Sequence, residues 1–160
     1  ISGCYALTEV AHGTNAKKMQ TTATFDVETQ QFILHSAGFE AAKCWAGSLG
    51  KAATHGTVFA QLVTPDGVCH GLHAFIVPLR DPNTLLVHPG IIIGDMGEKL
   101  GLNAVDNGSV FHTWFTPLSH ISFSRKAPPH ISWHHHHYIY GLKQHRQLNY
   151  NEPFGSKYGR

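Results

Sequence analysis

The chain has 160 residues, of which 42% are hydrophobic, 11% aromatic and 14% charged, with a formal net charge of +2. A domain of this size buries roughly two thirds of its unfolded surface, and the aromatic and apolar content excludes wholesale disorder. No apolar run approaches the ~18 residues of a membrane helix, so no membrane partner is expected, and charge is uneven: residues 1–120 carry six Lys and Arg against nine Asp and Glu, whereas 121–160 carry six against Glu152 alone.

Short β-branched and aromatic runs between glycine and proline punctuation predict an all-β fold, an antiparallel sheet, sandwich or barrel. Strands are expected over 5–9, 21–26, 31–35, 58–63, 73–79, 91–94 and 110–116. The polar link DVETQQ at 26–31 joins TTATF to FILHS as a hairpin, in which Phe25, Phe32 and Leu34 share the buried side while Thr22, Thr24 and Gln31 face water. WAGSLGK at 45–51 reads as a glycine-rich turn open to close ligand approach, but not as a P-loop, since GxxxxGK is missing and Ala52 stands where Ser or Thr is needed. Pro65-Asp66-Gly67 is turn chemistry. No repeat of 20 to 50 residues is visible, which argues against a propeller or solenoid. From residue 121 the periodicity fails and Pro128-Pro129 blocks a helix, so the tail is expected to be mostly disordered.

Cys4, Cys44 and Cys69 form an odd set without CxxC spacing, which argues against a disulfide framework or structural zinc and fits a reducing compartment. HGTN at 12–15 is a polar glycine turn, suited either to holding an anion or simply to ending a strand. His70 and His73, spaced H-x-x-H on a strand, point to opposite faces and read as structural. His134 to His137, with His130 and His145, suit only adventitious metal binding, because consecutive rings cannot converge on one ion; no metal is expected. Six scattered cations among Trp133, Tyr138 and Tyr140 make a faint nucleic-acid pattern, and no nucleic acid is expected as a partner. There is no serine–histidine–acid order and no GxGxxG.

Five strings in order carry a further signal: YALTEVAHGTN (5–15), TTATFDVETQQFILHS (21–36), EAAKCWAGSLGKAATHGTVFAQL (40–62), CHGLHAFIVPLRDPNTL (69–85) and GDMGEKLGLNAVDNG (94–108). Together they resemble the peroxisomal acyl-CoA oxidases, and ALTEVAHGTN, FEAAK, CHGLH and RDPNTL look most like the branched-chain, pristanoyl type. The resemblance implies that 1–118 form an incomplete middle β-barrel domain, set in the family between helical domains, and that 119–160 are a divergent, His-rich basic tail. It implies FAD as cofactor and acyl-CoA as substrate, desaturated to trans-2-enoyl-CoA with O2 reduced to H2O2 in fatty acid β-oxidation.

By the same resemblance, Thr8 matches the threonine that binds the flavin and Gly47 the flavin-contacting glycine, while Gly13 and Thr14 fall where substrate or cofactor phosphates are held. No catalytic residue is expected, since Glu9 does not match the family base, a glutamate of the C-terminal bundle. Alone, the chain is then expected to bind FAD weakly or not at all and to turn over nothing. The full-length family implies a homodimer and a peroxisomal location, although Tyr158-Gly159-Arg160 is not an SKL-type address and the start lacks the features of a signal peptide. Two alternatives stand beside this reading: a non-catalytic fragment pairing with full-length subunits, and metal or nucleic-acid binding by the tail.

Overall fold

Residues 1–113 and 115–118 are described by the computed structural model; the tail expectations for 119–160, including the histidine run, lie outside the described residues. The strands are β1 (Gly3–Ala6), β2 (Thr22–Asp26), β3 (Gln31–His35), β4 (Lys43–Gly47), β5 (His55–Val63), β6 (Cys69–Pro78), β7 (Ile91–Asp95), β8 (Asn107–His112) and β9 (Phe115–Leu118), with short 3-10 turns at Ala16–Lys18 and Phe39–Ala41. Among the described residues no helix is long and apolar enough to cross a membrane.

The first sheet is organised on β5. β6 pairs antiparallel along one edge, from His55 opposite Pro78 to Val63 opposite Cys69. On the other edge β1 and β2 lie end to end, β1 beside His55–Val58 and β2 beside Gln61–Val63. β3 returns antiparallel on β2, and β9 lies outside β3. A second, three-stranded sheet has the order β4-β8-β7, all antiparallel.

The expectation of an antiparallel sheet is therefore corrected, because β1 and β2 both run parallel to β5. Parallel neighbours are joined by long crossovers, and turn chemistry reports only on neighbours in sequence. The strand expected over 110–116 is likewise two strands, β8 and β9, which belong to different sheets.

Period-two burial shapes the interior. In β5, Gly56, Val58, Ala60 and Leu62 are buried while the residues between them are not fully so. In the β2–β3 hairpin Phe25, Phe32 and Leu34 are buried as expected, but Thr22, Thr24 and Gln31 are half-covered rather than open. Phe32 packs edge-on to both Phe25 and Phe75, with centroids 5.1 and 5.4 Å apart; each such ring contributes about 1.5–3 kcal/mol by leaving water. One apolar cluster holds these side chains together with Ala46, Ile91 and Val110 of the second sheet and Leu49 of the turn between β4 and β5. That shared cluster fixes where β4 and its turn sit.

Candidate functional site

After β1 the chain does not stop at a strand end. It runs antiparallel beside 40–44: the Cys44 N–H donates to the Thr8 carbonyl (2.9 Å), Glu9 bridges to Lys43, and the Val10 and Ala11 N–H groups donate to the carbonyls of Ala42 (3.0 Å) and Glu40 (3.1 Å). A wholly buried ion pair locks the register. Glu9 Oε1 lies 2.9 Å from Lys43 Nζ and accepts from the Thr21 N–H (2.9 Å) and hydroxyl (2.7 Å), while Oε2 accepts from the Gln20 N–H (2.7 Å). Lys43 Nζ also donates to the Leu7 carbonyl at 3.2 Å.

Burial pushes the Glu9 carboxyl upward, but the bonds from Gln20, Lys43 and Thr21 outweigh it and hold it below the usual carboxylate value. A carboxylate so occupied, fully shielded and paired with a cation, organises the backbone and has no access to a substrate proton. Burial also draws Lys43 below its usual value, opposed by Glu9.

Because Glu9 points inward, alternation turns Thr8 the other way. Its side chain is half-buried, and its hydroxyl makes no hydrogen bond among the described residues. Three residues beyond Cys44, Gly47 ends β4 opposite Asn107. Ala46 belongs to the core, so Gly47 faces out, and a Cβ built on it would meet only Asn107 Oδ1, at 4.0 Å. Thr8 and Gly47 thus lie on adjoining segments, Gly47 three residues beyond the Cys44 that pairs with Thr8. Between them β4 is bulged, and Trp45 (φ 62) and Ser48 (φ 65) are left-handed without being glycine. Trp45 is 58% exposed.

Gly13 and Thr14 are exposed and lie further along the same connection, in the turn after the mutual Glu9 and His12 backbone bonds (3.0 and 3.2 Å). His70 and His73 have separate partners, the Thr64 hydroxyl (2.9 Å) and the Gly71 carbonyl (3.0 Å). Burial pushes the Cys4 thiol up to about 11 against the lowering effect of Arg80. It also raises Cys44, with the Glu9 charge adding and Lys43 opposing. Neither is poised as a thiolate nucleophile at neutral pH.

Two residues that the sequence reading passed over hold the turn after Gly47. The buried Arg80 guanidinium donates to the carbonyls of Leu49, Gly50 and Ala53, and Asp106 Oδ2 accepts from the N–H groups of Lys51 (2.9 Å) and Ala52 (3.3 Å). The available signal for Arg80 was a lone cation closing the apolar run AFIVPL, a position where burial demands acceptors.

An unpartnered hydroxyl and a glycine with open space around it, on adjoining segments, are chemically compatible with a planar ligand that has a polar edge. The mostly-strand architecture matches a middle-domain sheet fold, and the chain belongs to the family described as acyl-CoA dehydrogenase, middle domain, whose model matches residues 4–113. Peroxisomal acyl-coenzyme A oxidase 3 of Homo sapiens is 58% identical over 113 residues, which cover 70% of this chain and 16% of that protein. Peroxisomal acyl-coenzyme A oxidase 1 of Homo sapiens is 52% identical over 108 residues, 68% of this chain and again 16% of the relative. The chain therefore spans about a sixth of the length of these relatives. Among solved structures, Arabidopsis thaliana acyl-CoA oxidase 1 superposes with a TM-score of 0.69 at 42% identity, covering 71% of this chain and 18% of that one. Acyl-CoA oxidase-1 of Caenorhabditis elegans, solved with FAD and ATP, does so with a TM-score of 0.69 at 45% identity, covering 71% and 17%.

Proposed function

We propose that this chain is the middle-domain part, residues 1–118, of an FAD-dependent acyl-CoA oxidase of peroxisomes, with the two sheets acting as the halves of the domain's barrel or sandwich. In this reading Thr8 and Gly47 meet the flavin, and Gly13 and Thr14 reach a phosphate of the acyl-CoA or the cofactor. The observation that supports it is the pairing of Thr8 with Cys44, three residues before Gly47, which brings an unpartnered hydroxyl and a glycine with open space around it onto adjoining segments. Kinship with acyl-CoA oxidases, one of them solved with FAD, supports the same assignment.

When bound, FAD supplies the hydride acceptor for acyl-CoA desaturation and the centre that reduces O2 to H2O2. The chain's own residues orient it: the Thr8 hydroxyl hydrogen-bonds the polar edge of the ring, Gly47 allows close backbone approach, and the buried Glu9–Lys43 pair keeps the two segments in register. The proton-abstracting base lies elsewhere in the full enzyme, so the isolated chain yields no peroxide from acyl-CoA. The full enzyme works as a homodimer.

The test is amide NMR of the 15N-labelled chain with FAD raised to about 1 mM, a concentration that reads even millimolar affinity. Shifts centred on Leu7–Glu9 and Cys44–Ser48 are expected. Shifts confined to other regions overturn the flavin reading.

A second reading, a non-catalytic piece that pairs with longer subunits, is favoured by the exposed Leu86, Ile92, Leu100 and Leu102. Sedimentation of the chain with a full-length oxidase separates the two: co-migration supports pairing, and independent boundaries exclude it.

A further inference from the structure

We propose that Arg80 is a positioning residue for flavin binding, fixing the backbone that continues from Gly47; this rests on the flavin reading above. Its side chain is 5% exposed, and among the described residues it makes no ion pair. Nη1 donates to the carbonyls of Leu49 and Ala53, each at 2.9 Å, and Nη2 donates to that of Gly50 at 2.8 Å. A buried guanidinium without a carboxylate is tolerated only where acceptors converge on it. Here one short turn supplies all three, so the cation and the turn hold each other in place.

Asp106 grips the same turn from the opposite polarity. Its carboxylate takes the Lys51 and Ala52 N–H groups, and its carbonyl takes the Ser48 N–H. The turn's donors and acceptors are thereby satisfied largely by two side chains from distant parts of the chain rather than by a strand ladder. Ser48, left-handed with a Cβ, adopts a conformation that persists only where its surroundings over-determine it. Ser48 directly follows Gly47, so whatever fixes the turn also sets the angle at which the glycine backbone presents itself. Lysine at position 80 would keep the charge, but one ammonium cannot reproduce a planar fork spread over three carbonyls.

The experiment compares the full chain with its Arg80→Lys and Arg80→Gln variants in the same FAD titration, and follows the wild-type Arg80 Nη resonances. In both variants we expect the β2–β3 hairpin amides to stay put, the Gly47–Ala53 amides to move before any flavin is added, and FAD to bind about tenfold more weakly. In the wild type the Nη resonances shift as FAD is added. FAD binding of wild-type strength in Arg80→Lys overturns the proposal. Should both variants fail to fold, Nη resonances indifferent to FAD overturn it equally. FAD-dependent shifts in the wild type that bypass Thr8 and Gly47 defeat the flavin reading itself and this inference with it, whereas a flavin-responsive wild type with indifferent Arg80 defeats this inference alone.

Discussion

Glu9 looks at first like a reactive carboxylate beside the proposed flavin threonine, and its surroundings decide otherwise. Its oxygens are taken by Lys43, Thr21 and Gln20, and both partners of the ion pair are fully shielded from water. Removing one charge strands the other in a medium that cannot solvate it, a loss of about 3–5 kcal/mol, while replacing both with apolar groups of similar volume is often nearly neutral. Glu9→Gln should therefore lower the urea midpoint sharply, and Glu9→Met combined with Lys43→Met should recover most of it. A double variant as unstable as the single one would mean that the pair is not the register lock described here. Nothing near residue 9 announces this role. Its partner is 34 positions away, and only the fold brings it there. Thr8 and Gly47, by contrast, are singled out by the sequence only because each sits inside a string of family residues, and their part in holding a flavin is a proposal.

At the scale of elements, β4, its turn and β8 cross at unusually short range. A Cβ on Gly108 would come within 2.5 Å of the Gly50 nitrogen, 2.8 Å of its Cα and 2.9 Å of the Leu49 carbonyl carbon, all backbone atoms with no rotamer to yield. Gly108→Ala is expected to cost about 1–3 kcal/mol through overpacking. Gly101→Ala, where a Cβ meets nothing within 4 Å, should stay within about 0.5 kcal/mol. Thermal unfolding of the two variants side by side checks this, and equal melting temperatures would contradict the crossing. The same region shows why some elements were readable and others were not. The hairpin and β5 alternate regularly, so their period of two survives in the sequence. β4 buries Lys43 and Ala46 across a bulge with Trp45 exposed between them, a pattern with no period to read, so the glycine-rich reading of 45–51 holds for the turn around Gly50 but misses that residues 45–47 end a strand. The parallel partners of β5 carried no local mark at all.

For the molecule as a whole, the two sheets are stitched together at His112, whose carbonyl accepts from the Ser36 N–H (2.8 Å) while its own N–H donates to the Ser36 hydroxyl (3.3 Å). The ring is fully buried, and burial, followed by the positive charge of Lys43, pushes its pKa from 6.5 down to about 3. Between those two values the unfolded chain binds a proton at this site that the native chain refuses, so the stability due to His112 is complete above pH 6.5 and drains away as pH falls toward 3. Glu9 is likewise depressed in the native state, as are Asp26, Asp66, Asp81 and Asp95, each held down chiefly by hydrogen bonds from its own loop. Their stabilisation persists down to about pH 4, near the unfolded carboxylate values, and is lost only below it. Two acid limbs should follow: an upper one from His112, setting in below pH 6.5, and a lower one from the carboxylates. Melting temperatures measured from pH 8 to 3.5 should show both, and His112→Gln should flatten the upper limb while leaving the lower one. A wild-type curve flat down to pH 4.5 would mean that His112 titrates normally, and the seam between the sheets would then have to be open to water.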